Sequence, residues 1–180
     1  MTFTITPVEP RAIMQKLSSL LLLTLLPTLV LASLVSAQTP APATPKKPGE
    51  AVSLKAIVIK GSAKPGSDIT AVLQFKIEEG YHVQANPASE PSYIPAVLTL
   101  TPAQGVLALP AKYPAGKEEK QAGLDKPLLV YDGSFEIMVP MKLDADAKLP
   151  LTVSGVLSYQ ACKGAVCYPP RRLKVAVDIK

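Results

Sequence analysis

VSLKAIVIK–GSAKPGS–DITAVLQFKI, residues 52–77, places two runs of alternating apolar and polar side chains on either side of a segment rich in Gly, Ser and Pro. A period of two is that of a half-buried β-strand, and the intervening residues favour a turn. Outward from this pair, the same pattern predicts further strands at residues 93–100, 106–109, 128–131, 134–143, 151–159 and 173–179. About eight short strands at roughly ten-residue spacing predict an all-β antiparallel sandwich or barrel.

Two connections in this pattern stand out. Asp132-Gly133 joins two predicted strands, and this dipeptide favours a tight hairpin. Residues 111–126 (AKYPAGKEEKQAGLDK) are polar and long for a connection inside a compact domain. Because such long loops are uncommon unless they are functional, we predict that this segment is a functional loop.

The first 37 residues have the pattern of a secretory signal peptide. An apolar run at residues 17–35 follows Lys16 and ends in the small-residue site VSA at 35–37, and Met14 gives a short amino-terminal region typical of a true start. The alternative is an uncleaved membrane anchor, since the run has about the ~20 residues that span a bilayer. Either way, the following domain is expected to be periplasmic or otherwise extracytoplasmic.

Residues 38–50 (QTPAPATPKKPGE) predict an extended linker, which leaves residues 51–180 as one domain. A chain of this length buries a core without metals or several disulfides. The net charge of +5 is modest, and the lysines are scattered without interleaved aromatic residues. These features argue against a nucleic-acid partner.

Two cysteines carry the chemistry of the domain. Cys162 and Cys167 lie at the two ends of a short connection between predicted strands. Opposite Cβ atoms of antiparallel neighbours are about 4.5–5.5 Å apart, close to what a disulfide needs, so a bridge across this hairpin is feasible. It would close a loop of only six residues and stabilise the fold by about 2 kcal/mol, which favours a bond that opens and recloses.

Basic residues lie close to the cysteines in sequence, at Lys163, Arg171, Arg172 and Lys174. Positive charge favours the thiolate, which is the nucleophile in exchange, although short basic runs are usually ordinary solvated surface. A structural disulfide in a non-catalytic interaction module is the main alternative, because exported cysteine pairs often have that role. A soft-metal site formed by His82 and the two cysteines is a weaker alternative, since no second ligand motif accompanies them, and we expect neither metal nor cofactor.

Two motifs carry a resemblance to a known family. YQAC at residues 159–162 and CYPP at 167–170 resemble the signature of the periplasmic N-terminal domain of the DsbD thiol:disulfide interchange proteins. IEEGYHV at 77–83 is similar to that family's strand ending in Gly and an aromatic residue. The resemblance covers about residues 51–180 and implies an immunoglobulin-like antiparallel β-sandwich.

The resemblance also implies a reaction and a site. Cys167 would form the mixed disulfide with a partner and Cys162 would resolve it, a protein-disulfide reductase or interchange activity. The residues expected to line the site are Tyr81, His82, Tyr159, Tyr168 and Pro169. Within the long loop, Tyr113 or Leu124 would cap the cysteines, in place of a phenylalanine at the loop tip.

The partners implied are periplasmic thiol–disulfide proteins of the thioredoxin-like kind. The family protein continues into a membrane-spanning electron conduit, whereas this chain ends at Lys180, so we expect a separate membrane electron donor. Cytochrome c biogenesis, disulfide isomerisation and repair of oxidised thiols remain open as destinations of the electrons.

Overall fold

The computed structural model describes residues 47–180, so the predicted signal peptide and most of the predicted linker lie outside the described residues. The described part of the chain is built of strands, without a helix. Their bounds are β1 (Val52–Lys60), β2 (Asp68–Ile77), β3 (His82–Gln84), β4 (Val97–Leu100), β5 (Val106–Ala108), β6 (Lys117–Glu119), β7 (Leu128–Asp132), β8 (Ser134–Leu143), β9 (Leu151–Tyr159), β10 (Ala161–Lys163), β11 (Val166–Cys167) and β12 (Arg171–Ile179). Within this range, none of the chain has the helical length and hydropathy of a bilayer-spanning segment.

The strands pair antiparallel in three sheets around one core. The strand orders are β1-β2-β8-β5, β11-β10-β3-β7-β6 and β12-β9-β4. Each sheet contributes fully buried side chains to a single hydrophobic cluster, among them Phe75, Val83, Ile137, Leu157 and Val177. The predicted all-β antiparallel sandwich is confirmed.

Strand β8 shows why the alternating pattern predicts the fold well. Its odd-numbered residues are buried and its even-numbered residues are exposed or half-buried, because successive side chains point to opposite faces of a sheet. The buried face lies against the core, where Phe135 stacks on Phe75 of the neighbouring strand with ring centroids 5.2 Å apart. The predicted bounds of β1, β2, β8 and β9 agree with the structure at both ends.

The predicted hairpin at Asp132-Gly133 is wrong. Strand β7 pairs with β3 and β6, whereas β8 pairs with β2 and β5 in another sheet. Gly133 has φ 62° and its carbonyl accepts a hydrogen bond from the Ile77 amide at 2.7 Å. A glycine with positive φ turns the chain sharply here, and the turn passes the chain from one sheet to the other instead of folding it back.

Two predicted segments differ in detail from the structure. The strand expected from residue 93 begins at Val97, because residues 95–96 contact β3, where the Ala96 amide donates to the Gln84 carbonyl at 3.0 Å. The segment 111–126, expected to be a loop throughout, contains the short strand β6. That strand adds an edge to the sheet that carries the cysteines.

Gly155 in β9 offers a test of this packing. A Cβ at this position would lie 2.5 Å from Leu100 Cδ2 and 2.8 Å from the Thr99 carbonyl oxygen. Since the carbonyl belongs to the paired strand β4, Gly155→Ala would force the two strands apart and cost about 1–3 kcal/mol of unfolding free energy. The urea midpoint measures this loss, and Ser154→Ala, at an exposed neighbouring position, is the control. Equal midpoints for Gly155→Ala and the wild type would contradict the close approach of β4 and β9.

Candidate functional site at the hairpin disulfide

A short excursion of the chain carries the cysteines. Strands β9 and β12 pair along their full lengths and are joined at the register pair Tyr159 and Arg171. The intervening residues 160–170 leave this sheet and form the β10–β11 hairpin, which pairs with β3 at the edge of the five-stranded sheet. The cysteine hairpin is therefore connected to the paired strands β9 and β12 at its base and is hydrogen-bonded to β3 of a second sheet at its side.

The register of this hairpin places the cysteines opposite each other. Cys162 of β10 pairs directly with Cys167 of β11, their Cα atoms are 4.0 Å apart, and their sulfurs form a disulfide. Gly164, with φ 55°, occupies the two-residue turn that closes the hairpin, where a positive φ is favourable for glycine. The predicted bridge across the hairpin is present.

The two cysteines differ strongly in exposure. Cys162 is fully buried, at 0% relative exposure, because β10 is an interior strand flanked by β3 and β11. Cys167 lies on the two-residue edge strand and is exposed, next to Val166, which is 61% exposed. One end of the disulfide thus faces solvent while the other is enclosed.

Hydrogen bonds hold the exposed cysteine in place. The Tyr168 amide donates to the Ala161 carbonyl at 2.9 Å, and the Gln160 side-chain amide donates to the Tyr168 carbonyl at 3.1 Å. Pro169 and Pro170 follow, and a proline restricts both its own φ and the residue before it. The backbone that follows Cys167 is therefore held in place.

The last residues of the predicted linker also brace the site. Residues 47–50 contain a turn in which Gly49 lies against the Tyr168 side chain. The Arg171 guanidinium donates two hydrogen bonds to the Pro48 carbonyl, at 2.7 and 3.2 Å. This arginine therefore has a structural partner, and Arg172 and Lys174 lie on β12, which pairs with β9 and not with the cysteine hairpin.

Two tyrosines and a lysine form an aromatic group beside the hairpin. The rings of Tyr81 and Tyr168 are 5.9 Å apart and tilted by 42°, and the Lys163 ammonium lies 5.6 Å from the centre of the Tyr81 ring. Desolvation, and after it the interaction with Tyr168, raise the pKa of Tyr81, so its hydroxyl stays protonated at neutral pH. The structure thus brings Tyr81 and Tyr168 together beside the hairpin, and their role in lining an exchange site stays a prediction.

The buried side of the site is a row of polar side chains. His82 pairs directly with Cys162 on one side and with Asp132 of β7 on the other, so these side chains share one face of the sheet. His82 is 4% exposed, and its Nδ1 lies 3.4 Å from Glu119 Oε1. Its Nε2 is buried without a hydrogen-bond partner among residues 47–180.

Other predicted site residues lie elsewhere. Tyr159 is buried in the main core, and this burial raises the pKa of its hydroxyl. The Tyr113 hydroxyl accepts a hydrogen bond from the Leu98 amide at 2.9 Å, next to β4. Leu124 is 41% exposed and lines a shallow pocket with Tyr93. Neither residue of the predicted cap has a described contact with the cysteines.

Sequence reasoning missed Glu119 as part of the site. It belongs to the polar segment 111–126, but its role depends on β6 joining the cysteine sheet, which no local pattern indicates. Two glutamates in a lysine-rich stretch look like ordinary surface. Within that segment, the structure places Glu119, instead of Tyr113 or Leu124, beside the residue that pairs with Cys162.

An antiparallel β-sandwich with a hairpin disulfide, one cysteine exposed and the other buried, has the architecture of a small domain that can carry out thiol–disulfide exchange. Residues 50–179 match the family described as thiol:disulfide interchange protein DsbD, N-terminal, and the chain belongs to this family. The sandwich is accordingly of the immunoglobulin-like kind, as the resemblance implied.

Solved structures that match the chain include three bacterial examples. The N-terminal periplasmic domain of ScsB from Proteus mirabilis has a TM-score of 0.52 at 14% identity, over 74% of this chain and 49% of that one. The chain thus spans about half the length of that structure. The reduced DsbD N-terminal domain of Neisseria meningitidis has a TM-score of 0.42 at 21% identity, over 63% and 80% of the two chains.

The third example is the complex between the DsbD N-terminal and PilB N-terminal domains of N. meningitidis, with a TM-score of 0.41 at 21% identity over 74% of this chain and 86% of that one. No curated protein matches the chain.

Proposed function

We propose that this domain passes electrons to oxidised partner proteins through a reversible Cys162–Cys167 disulfide. The observation that carries the proposal is the unequal exposure of the two cysteines within one hairpin. A purely structural bridge gains nothing from an exposed end, whereas an exchange reaction needs one sulfur that a partner can reach and a second that stays enclosed.

The reaction follows from this asymmetry. In the reduced domain, the Cys167 thiolate attacks a sulfur of the partner disulfide and displaces the other partner sulfur as a thiolate. The Cys162 thiolate then attacks the Cys167 sulfur of the mixed disulfide and releases the second partner thiolate. The domain is left with its disulfide and the partner with two thiols, so two electrons have moved to the partner. A donor restores the dithiol by the reverse sequence.

The surface around Cys167 suggests how a partner binds. Val166 and Pro169 are exposed next to the cysteine, and the Tyr81–Tyr168 pair adds aromatic area with polar hydroxyls. Exposed apolar and aromatic side chains around a reactive group are typical of a protein-binding surface. We therefore expect partners that are themselves thiol–disulfide proteins, of the thioredoxin-like kind.

The compartment follows from the leader and the cysteines. The predicted signal peptide 1–37, outside the described residues, would export the domain, and disulfides persist in extracytoplasmic compartments. That residues 111–126 cover the cysteines stays a prediction, since Cys167 is exposed in this structure.

The reduction potential of the Cys162–Cys167 pair tests this function. The domain from residue 38 is equilibrated against graded dithiol buffers, and free thiols are counted by the mass shift on alkylation. We expect a potential above about −300 mV, because structural disulfides of secreted proteins lie below that value. A potential well below it would identify a structural bridge and favour the non-catalytic interaction module instead.

A further inference from the structure

We infer that His82 is the proton acceptor for the Cys162 thiol in the step that resolves the mixed disulfide. This role depends on the exchange function proposed above, because it has a purpose only if the disulfide opens and recloses. It assigns chemistry to a buried polar residue that packing alone does not explain.

The need for an acceptor comes from the burial of Cys162. In the mixed-disulfide state Cys162 carries a thiol proton, and only its thiolate attacks the Cys167 sulfur. Because the residue has no exposed surface, water in bulk solvent does not reach it to remove the proton. An ionisable group inside the fold is therefore required for a fast second step.

His82 is the ionisable residue that the register sets opposite Cys162. Directly opposed residues of antiparallel strands have Cβ atoms about 4.5–5.5 Å apart on the same face, within reach of an imidazole and a thiol. Histidine is also the side chain whose charge changes nearest neutral pH, which suits proton exchange with a thiol.

The surroundings of His82 determine which of its ring nitrogens accepts the proton of the Cys162 thiol. A proton on Nδ1 faces the Glu119 carboxylate at 3.4 Å, which leaves Nε2 with a free lone pair. That Nε2 is buried and, within the described residues 47–180, has no hydrogen-bond partner in the disulfide form. Leaving a buried polar atom unpaired costs about 1–3 kcal/mol, and the disulfide state is the one in which no thiol proton is present to pair with it.

Charged groups on two neighbouring strands face His82. Glu119 on β6 lies beside Nδ1, and Asp132 on β7 is its direct partner across the sheet. Lys117 neutralises Asp132 through an ion pair, which leaves Glu119 as the carboxylate positioned to stabilise an imidazolium. In the resolving step the Cys162 proton moves to Nε2, the new thiolate forms the sulfur–sulfur bond with Cys167, and the partner thiolate leaves.

The two steps can be separated with a chromogenic disulfide, dithiobis-nitrobenzoate, mixed rapidly with the reduced domain. The first nitrothiolate is released when Cys167 attacks, and the second when Cys162 resolves the adduct. We expect His82→Gln to slow the second release about 100-fold at neutral pH and to leave the first unchanged, as for loss of a general base. Glu119→Gln should slow it by about two- to fivefold, a smaller effect because the carboxylate is partly exposed.

The pH profile separates a proton acceptor from a packing residue. An imidazolium accepts no proton, so the wild-type second phase should slow towards acidic pH and level off once His82 is neutral. In His82→Gln it should keep rising into the alkaline range, because only the rare thiolate of Cys162 reacts. The matched control is Gln84→Met, a buried polar residue two positions along β3 that pairs with Val130 instead of a cysteine.

An unchanged second phase in His82→Gln overturns the role of His82, and so does an equal slowing in Gln84→Met, which would indicate packing. If His82→Gln does not fold, Glu119→Gln decides, and an unaltered rate and pH profile there rejects the role. Failure of the exchange function itself looks different, because the reduction potential of the wild-type pair would then lie well below about −300 mV, whatever the rates of the His82 variants.

Discussion

Cys162→Ser is expected to trap a stable mixed disulfide on Cys167, whereas Cys167→Ser is expected to be inert. The exposed Cys167 remains able to attack in the first variant, but no second thiol is present to release the partner. In the second variant the remaining cysteine is fully buried and out of a partner's reach. Both variants should lose all multi-turnover exchange, since each cycle needs both sulfurs.

Oxidised glutathione is a suitable probe for this experiment, with intact mass and peptide mapping as the readout. The reference is the reduced wild-type domain. Both variants should stay folded, because the disulfide of so short a loop contributes only about 2 kcal/mol to stability. An adduct that forms on Cys162 in Cys167→Ser as fast as on Cys167 in the other variant would show that the order of attack is wrong.

Tyr131→Ala is expected to cost about 3–5 kcal/mol of unfolding free energy, the largest loss of stability among our predictions. Tyr131 is 3% exposed, and its ring stacks on Phe135 with centroids 4.7 Å apart. Its hydroxyl donates to the Pro114 carbonyl at 2.9 Å and accepts from the Asn86 amide at 3.0 Å. Burial raises the pKa of this hydroxyl, so it keeps the proton that it donates.

The Tyr131 hydroxyl connects the segment before β6 to the residues that follow β3. Both strands belong to the sheet that carries the cysteines. Tyr131→Phe keeps the ring but leaves two backbone groups unpaired, at a cost of about 1–3 kcal/mol. Chemical denaturation of both variants measures the effects, with Tyr93→Phe, at a half-buried tyrosine, as the control. If Tyr131→Phe is as stable as the wild type, the hydroxyl does not hold these segments together.

The long strands could be predicted because their own sequences alternate between apolar residues, which are buried, and polar residues, which are exposed. Strands β2, β8 and β9 alternate over nine or ten residues, and each agrees with its predicted bounds. The short strands β3, β6, β10 and β11 have two or three residues and carry too little pattern. They form strands because their backbones hydrogen-bond to strands that are distant in the sequence, and the local sequence does not indicate these partners.

The same division applies to the site. The cysteine pair could be predicted because its partners are five residues apart in one hairpin. The pairing of His82 with Cys162, and the approach of Glu119 to His82, join residues far apart in the chain and require the sheet order first. The Asp132-Gly133 error has the same origin, because a local turn signal does not say which sheet the next strand joins.

The two-residue length of β11 has a consequence for how this protein is recognised. An unpaired sheet edge is a template on which another chain can extend the sheet, and short edges and prolines prevent such addition. Here the edge ends at Cys167 and is followed by Tyr168-Pro169-Pro170, two of whose residues lack an amide hydrogen. The edge strand therefore offers few main-chain hydrogen bonds to another chain. A protein that reached the sulfur would contact it mainly through side chains, and the same feature protects this edge from aggregation by strand addition.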